Sequence, residues 1–313
     1  MEKIKTRLKH FIKEKNKNLN ALFAEHLEDR LKYICRNEYL NNSALNSNEP
    51  GISNEKYCDN EIIVSLTTYD DRLYEVYLTI ESIMQQTLKP NKIILWLSDE
   101  MKHKNMPLVL RNQQNRGLEI KYCKDIRSYK KLIPALQMFP SSTIITIDDD
   151  HLYYFDLIEN LVNEYRNNSS GILCARMHRI KLLNNNRPDK YTNWIHKYSS
   201  FDISPLNFPT GVGGVLYPPH CFCDEVFNEK VFMKICQYAD DIWFKAMALQ
   251  NNIMAHKIFT HNKSGEDHLK NKNVQHISLS KVNVGEKMND VQLKAVFDKY
   301  NLYDRLINAD FTN

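Results

Sequence analysis

The stretch at 142–154, STIITIDDDHLYY, runs a largely β-branched segment straight into three consecutive carboxylates. Branching at Cβ restricts χ1 and suits a pleated, packed surface, so STIITI predicts a buried strand. Asp148, Asp149 and Asp150 follow at its end, where like charges held this close repel one another. One use for them is to cap the next helix, since acids are favourable at a helix N-terminus. The other is to hold a hard divalent cation, which prefers oxygen ligands and neutralises the repulsion. The abrupt switch from ITI to DDD favours the cation. Magnesium or manganese keeps positions open for phosphate oxygens, which makes a metal-bound diphosphate the natural ligand.

The surrounding pattern supplies a sheet for that strand to join. EIIVSLTTY (61–69), KIILWLS (92–98) and LEIKYCK (118–124) read as strands. LYEVYLTIESIMQQ (73–86) and SYKKLIPALQMF (128–139) read as helices between them, the first with Leu73, Tyr77, Ile80 and Met84 on one face. DLIENLVNEY (156–165) follows the acidic run as an amphipathic helix. Continuous apolar strands alternating with helices predict an α/β fold with a mostly parallel central sheet covered on both faces. Ligands of such sheets gather outside the carboxyl ends of the strands, which is where the three aspartates stand.

Composition bounds the alternatives. The 313 residues carry a net charge of +4 and only 8 glycines, with no G-x-G-x-x-G and no P-loop motif. The charge is too mild to point to a nucleic-acid partner. The seven cysteines include one C-x-C, Cys221 and Cys223, but no second close pair to complete a zinc spacing. Their odd number, with no signal-peptide pattern, predicts reduced thiols in a cytoplasmic chain. No apolar run approaches the roughly 20 residues that span a bilayer. Residues 1–40 predict a basic helical region. Within it 1–18 places Ile4, Leu8, Phe11 and Ile12 at helical spacing among seven Lys/Arg, suiting either packing or an anionic membrane surface at the inner face. Residues 41–60 read as a polar linker, 61–262 as the catalytic domain, and 263–313 as an extension with an amphipathic helix in 288–306.

With IIVSLTTY opening the first half and IITIDDD closing it, the chain resembles the nucleotide-sugar-dependent glycosyltransferases of the GT-A (Rossmann-like) fold. The segment VSLTTYDDRLYEVYLTIESIMQQTLKPNKIILWLSDE (64–100) is similar to the start of bacterial family-2-like members. The resemblance covers roughly 61–260 and implies an Asp-x-Asp motif closing the nucleotide-binding half. It implies Asp148 near the ribose or donor sugar and Asp150 on Mn2+ or Mg2+, with Asp149 suited to either role. Loops after the first and third strands then point to Thr67, Tyr69 and Arg72, and to Asp125 with Lys130 or Lys131. Arg72 suits phosphate or a base carbonyl as a fixed-charge donor, or stands as a surface arginine flanked by Asp70 and Asp71.

NFPTGVGGVLYPPHCF (207–222) gathers Gly211, Gly213 and Gly214, which allow close backbone approach to a ligand or serve a tight turn before a strand. The resemblance implies that this segment faces the donor sugar and acceptor. In YADDIWFKAMALQ (238–250), Asp240 and Asp241 open a helix with Ile242, Ala246 and Leu249 on one face. An acidic pair is favourable there without any chemistry. The resemblance implies a sharper role, Asp241 or alternatively Asp240 as the base of an inverting transfer. It also implies a late histidine metal ligand, chosen as His276 from His256, His261, His268 and His276.

The expected activity is transfer of a sugar from a nucleoside diphosphate sugar, by preference a UDP-sugar, to a hydroxyl of a glycan or glycolipid in bacterial surface polysaccharide or lipooligosaccharide assembly. A nucleotidyltransferase is disfavoured by SLTTYDD standing where a glycine-rich basic loop belongs. A non-catalytic carbohydrate-binding protein of this fold is disfavoured by intact acids at both 148–150 and 240–241.

Overall fold

The structure is a computed structural model that describes residues 24, 27–167, 170–274 and 288–307. Residues 1–18 and His276 lie outside the described residues. The chain divides into two compact units, Met1–Ser47 and Asn48–Asn313. The described part of the first is one helix, α1 (27–46), which runs six residues into the stretch 41–60. The second unit holds the sheet and everything that follows, through residue 307.

Among the described residues the central sheet has seven strands in the order β10-β6-β9-β4-β1-β2-β3. These are β1 (Ile62–Thr67), β2 (Lys92–Ser98), β3 (Leu118–Cys123), β4 (Thr143–Thr146), β6 (Ile172–Cys174), β9 (Val215–Tyr217) and β10 (Ala255–Lys257). The neighbours β4-β1-β2-β3 and the pair β10-β6 run parallel, and β9 is antiparallel to both β4 and β6. Side-chain alternation explains why these strands read as continuous apolar runs. Ile63, Ile94, Trp96 and Ile144 enter one core, whereas Ile62, Val64, Leu66, Ile93, Leu95 and Ile145 enter another. Both faces are therefore buried, as parallel sheets require.

Helices α2 (Val76–Met84), α3 (Leu108–Asn115) and α5 (Leu157–Asn167) cover the second face, through residues such as Ile80, Leu110 and Leu161. On the first face lie α4 (Ile133–Met138), α6 (Glu229–Ile235), α7 (Asp240–Gln250) and α8 (Met288–Tyr300), through Ile133, Phe232, Trp243 and Phe297. Two short ribbons complete the described fold: β5 (His151–Tyr153) with β11 (His268–Lys270), and β7 (Met177–Arg179) with β8 (Asn207–Pro209). The three aspartates do not cap a helix. Strand β5 follows them directly and α5 begins only at Leu157. Among the described residues no helix is long and apolar enough to cross a membrane, and all seven cysteines are free thiols.

Candidate active site

The chain leaves β4 at Thr146 and turns through Ile147–Asp150 into β5, which gives Asp148 its own cation and lets Asp149 and Asp150 share another. Asp149 turns inward. Its carboxylate accepts from Thr68 Oγ1 at 2.6 Å and from Arg72 at 2.6 Å, while its backbone carbonyl accepts from Thr79 Oγ1 at 2.9 Å. Asp150 lies 3.3 Å from Arg72 and 2.6 Å from His151 Nδ1. Asp148 accepts from Lys131 Nζ at 2.9 Å and, with a side chain 31% exposed, is the most open of the three. Burial pushes Asp149 up to about 6 although Arg72 pulls the other way.

Lys131 joins the two halves of the site. Its ammonium also pairs with Asp240 at 3.0 Å, and its side chain is only 7% exposed. Burial alone would lower its pKa, yet Asp148, Asp240 and Asp241 together hold it well above the ordinary lysine range. The sheet fixes where it stands. Trp96 Nε1 donates to Ser65 Oγ at 3.0 Å, and Ser65 Oγ donates to the Lys131 carbonyl at 2.6 Å. Lys130, its sequence neighbour, instead pairs with Asp125.

Asp241 lies across from the acidic run, in the first turn of α7, with both carboxylate oxygens 3.2 Å from the Gly211 N–H. Burial first, and Asp240 second, raise it to about 7 against the opposing pull of Lys131. Gly211 leaves no free room for a side chain. A Cβ there would stand 2.7 Å from Lys131 Nζ and 3.3 Å from oxygens of both Asp148 and Asp241. Gly211→Ala should therefore spread this cluster, costing about 1–3 kcal/mol as overpacking does. A urea melt checks the figure, and an unchanged midpoint would show that the cluster yields freely.

These groups line one cleft of about 750 Å3 at the carboxyl end of β1, β2, β3 and β4. Its walls include Thr67, Tyr69, Arg72, Asp125, Lys131, Asp148, Asp149, Asp150, Asp240 and Asp241, so one cavity gathers both acidic segments and both strand-end loops. Arg72 is not a surface residue: it is 6% exposed and committed to Asp149 and Asp150, with its guanidinium 5.4 Å from the Tyr69 ring centre. Thr67 turns its hydroxyl to the Trp96 carbonyl at 2.8 Å. Gly213 and Gly214 serve packing and turn geometry. A Cβ at Gly213 would meet Arg176 at 2.6 Å, and Gly214 adopts φ of +90°.

Of the other candidate histidines, His268 lines the cleft, with its ring centre 4.7 Å from that of His151. Burial, then His151, lower it to about 3, and its Nδ1 has no hydrogen-bond partner among the described residues. His256 faces Glu164 at 3.4 Å and His261 faces Asp156 at 2.5 Å. Sequence reasoning missed Thr68, Arg176 and Tyr153. The Tyr153 hydroxyl accepts from the Asp148 N–H at 3.0 Å and donates to the Val212 carbonyl at 3.1 Å, tying the acidic turn to the glycine segment. Residues of this type leave no motif, because their role exists only after the loops meet.

No family model matches the sequence, and no curated protein matches it. Among solved structures, S. aureus TarS 1-349 in complex with UDP aligns with a TM-score of 0.38 at 13% identity, over 62% of this chain and 57% of that one. A second structure of S. aureus TarS aligns with a TM-score of 0.38 at 14% identity, over 63% of this chain and 35% of that one. The inositol-1-phosphate CTP transferase from T. maritima aligns with a TM-score of 0.41 at 12% identity, over 75% and 97%. Likeness at this level carries no argument about activity.

Proposed function

We propose that the chain is a glycosyltransferase that takes a nucleoside diphosphate sugar, by preference a UDP-sugar, as donor and a hydroxyl of a glycan or glycolipid as acceptor. The observation that carries this reading is the convergence in one cleft of five carboxylates, Asp148–Asp150 with Asp240 and Asp241, paired directly with two buried cations, Arg72 and Lys131, while the buried Lys130 of the same cleft is taken up by Asp125. That imbalance favours a ligand that brings positive charge with it. A volume of about 750 Å3 lies within the usual range for a small-molecule site.

The residues present fit a hard divalent cation. Asp148 spends one oxygen on Lys131 and is open to the cleft, Asp150 lies beside it, and His268 Nδ1 is buried without a hydrogen bond among the described residues. Among those residues no three His, Cys, Asp or Glu side chains form a metal cage by themselves. Magnesium does not need one, because it is usually held by one or two carboxylates together with substrate phosphates and water. Asp148 and Asp150 would hold Mn2+ or Mg2+, which supplies charge stabilisation to a departing diphosphate.

The protein's own groups divide the remaining work. Arg72 pairs with both Asp149 and Asp150, so it fixes the acidic turn. Lys131 holds Asp148 and Asp240 at a set separation. Asp241 accepts the proton of the acceptor hydroxyl, and its raised pKa matches that duty, since a general base works best poised near the operating pH. A single base beside the acceptor supports inversion at the sugar carbon.

The test is titration calorimetry with UDP, GDP, CMP and CTP, each with and without manganese. The expected result is manganese-dependent binding of a nucleoside diphosphate, lost in Asp150→Asn while the far-UV spectrum is unchanged. The Asn keeps the shape but removes the charge. Unaltered affinity in that variant would strike Asp150 from the cation site. Binding of CTP alone would turn the reading towards nucleotidyl transfer.

A further inference from the structure

Helix α7 is buried nearly all round, and Lys245 lies inside that burial at 4% exposure. Its ammonium has no hydrogen-bond partner among the described residues. An unpartnered buried charge costs several kcal/mol or more in an apolar medium, so the position calls for an explanation. Lys245 follows Asp241 by one helical turn, which puts the two side chains on one face of α7. Both line a cavity of about 10 Å3 behind the cleft, walled otherwise by groups that include Tyr217, Phe244, Ile253 and Ala255.

That volume is about what one water molecule requires, and an ordered water also needs two to four polar partners. Three residues of the wall carry polar side chains that can serve: Lys245, Asp241 and Tyr217. We propose that Lys245 is a positioning residue for Asp241, joined to its carboxylate by one water held in the cavity they share. The link supplies the ammonium with a partner and gives Asp241 a cation on the side opposite Lys131.

The charged and titratable surroundings agree. Cys174 on β6 and Arg179 on β7 act on Lys245, Asp241 shares its cavity from one turn earlier on the same helix, and burial lowers the lysine to about 7. Asp241 is surrounded by Asp240, Lys131, Asp148 and the Gly211 N–H, and the hydroxyls of Tyr191 and Tyr217 feel its charge. Two groups that change charge in the same pH range, one turn apart, bias each other towards the ion pair. The catalytic meaning of that bias rests on reading Asp241 as the base, whereas the link itself does not.

The experiment follows the Asp241 carboxyl carbon by NMR titration of the full chain without nucleotide or acceptor, the signal being identified by its loss in Asp241→Asn. Lys245→Met keeps length and bulk while removing the charge. It should raise the Asp241 midpoint by roughly one pH unit. Coupling is reciprocal, so the Lys245 midpoint, followed through its Cε signal, should fall by a similar amount in Asp241→Asn. If Lys245→Met does not fold, this reciprocal measurement decides alone. Midpoints that stay put in the folded variants overturn the proposal and leave Lys245 as packing. No nucleotide enters either titration, so a failure of the link is distinguishable from a failure of the transferase reading, which the calorimetry tests.

Discussion

Lys131→Met is expected to cost about 3–5 kcal/mol of folding free energy at pH 8, the usual penalty for removing one partner of a buried ion pair. The reason is geometric. One ammonium, 7% exposed, stands 2.9 Å from Asp148 and 3.0 Å from Asp240. Without it, those acids and Asp241 face one another in the cleft with no cation on that side. Asp241, already raised to about 7 against the pull of Lys131, then rises further. A carboxyl raised in this way adds stability that is fully present below its unfolded pKa and is lost as pH climbs through the native value. The deficit should therefore be largest at pH 8 and shrink towards pH 4–5. Urea melts at the two ends of that range measure it directly. A deficit that is the same at both, or smaller than about 1 kcal/mol at pH 8, would mean that the acids are kept apart by packing alone.

How much of this was visible in the sequence depends on the range of the interaction. The strands β1, β2 and β4 were legible because both sheet faces are buried, which writes the strand as an unbroken apolar run. The α/β class followed from their alternation with helices. The ribbon of β5 with β11 was not legible, since three residues such as HLY are too short to show a period. Helix α3 escaped for a related reason: LVLRNQQN buries only Leu110 and Gln113, so it carries little apolar stripe. In α7 the stripe of Ile242, Ala246 and Leu249 was read correctly, yet Lys245, which is no part of that stripe, is buried as well. Residue type cannot report burial when a neighbouring element closes over the polar face. The same limit applies to Lys130 and Lys131. They are adjacent in sequence, and only the turn after β3 decides which reaches Asp125 and which reaches Asp148. Arg72 differs again. Its neighbours Asp70 and Asp71 suggested surface, whereas its partners lie 77 and 78 residues away.

Asp241→Asn is expected to lower turnover by at least about a hundredfold while leaving nucleotide affinity unchanged, because removal of a proton by a positioned base contributes roughly 10²–10⁴ in rate. The side chain shares the cleft with Asp148–Asp150 without pairing with them, so its loss should leave the proposed diphosphate end intact. An interaction needed only as the acceptor reacts lowers kcat and kcat/KM together. Burial and Asp240 raise Asp241 to about 7, so on the proposed reading kcat/KM of the native chain should climb through that pH as this carboxyl ionises. The same shift fixes the sign of the stability effect. The native pKa lies above the unfolded one, so this carboxyl contributes stability that is present below about pH 4 and is lost as pH rises through about 7. Asparagine cannot lose it, and its carbonyl still accepts from the Gly211 N–H. The variant should therefore be at least as stable as the native chain at pH 8 and relatively less stable at pH 4. Reduced turnover together with a lower melting temperature at pH 8 would assign the residue to the start of α7 as structure. Collapse in Asp240→Asn with Asp241→Asn near normal would move the base one residue earlier. Normal turnover in both would remove the pair from the chemistry, and with it the argument for inversion.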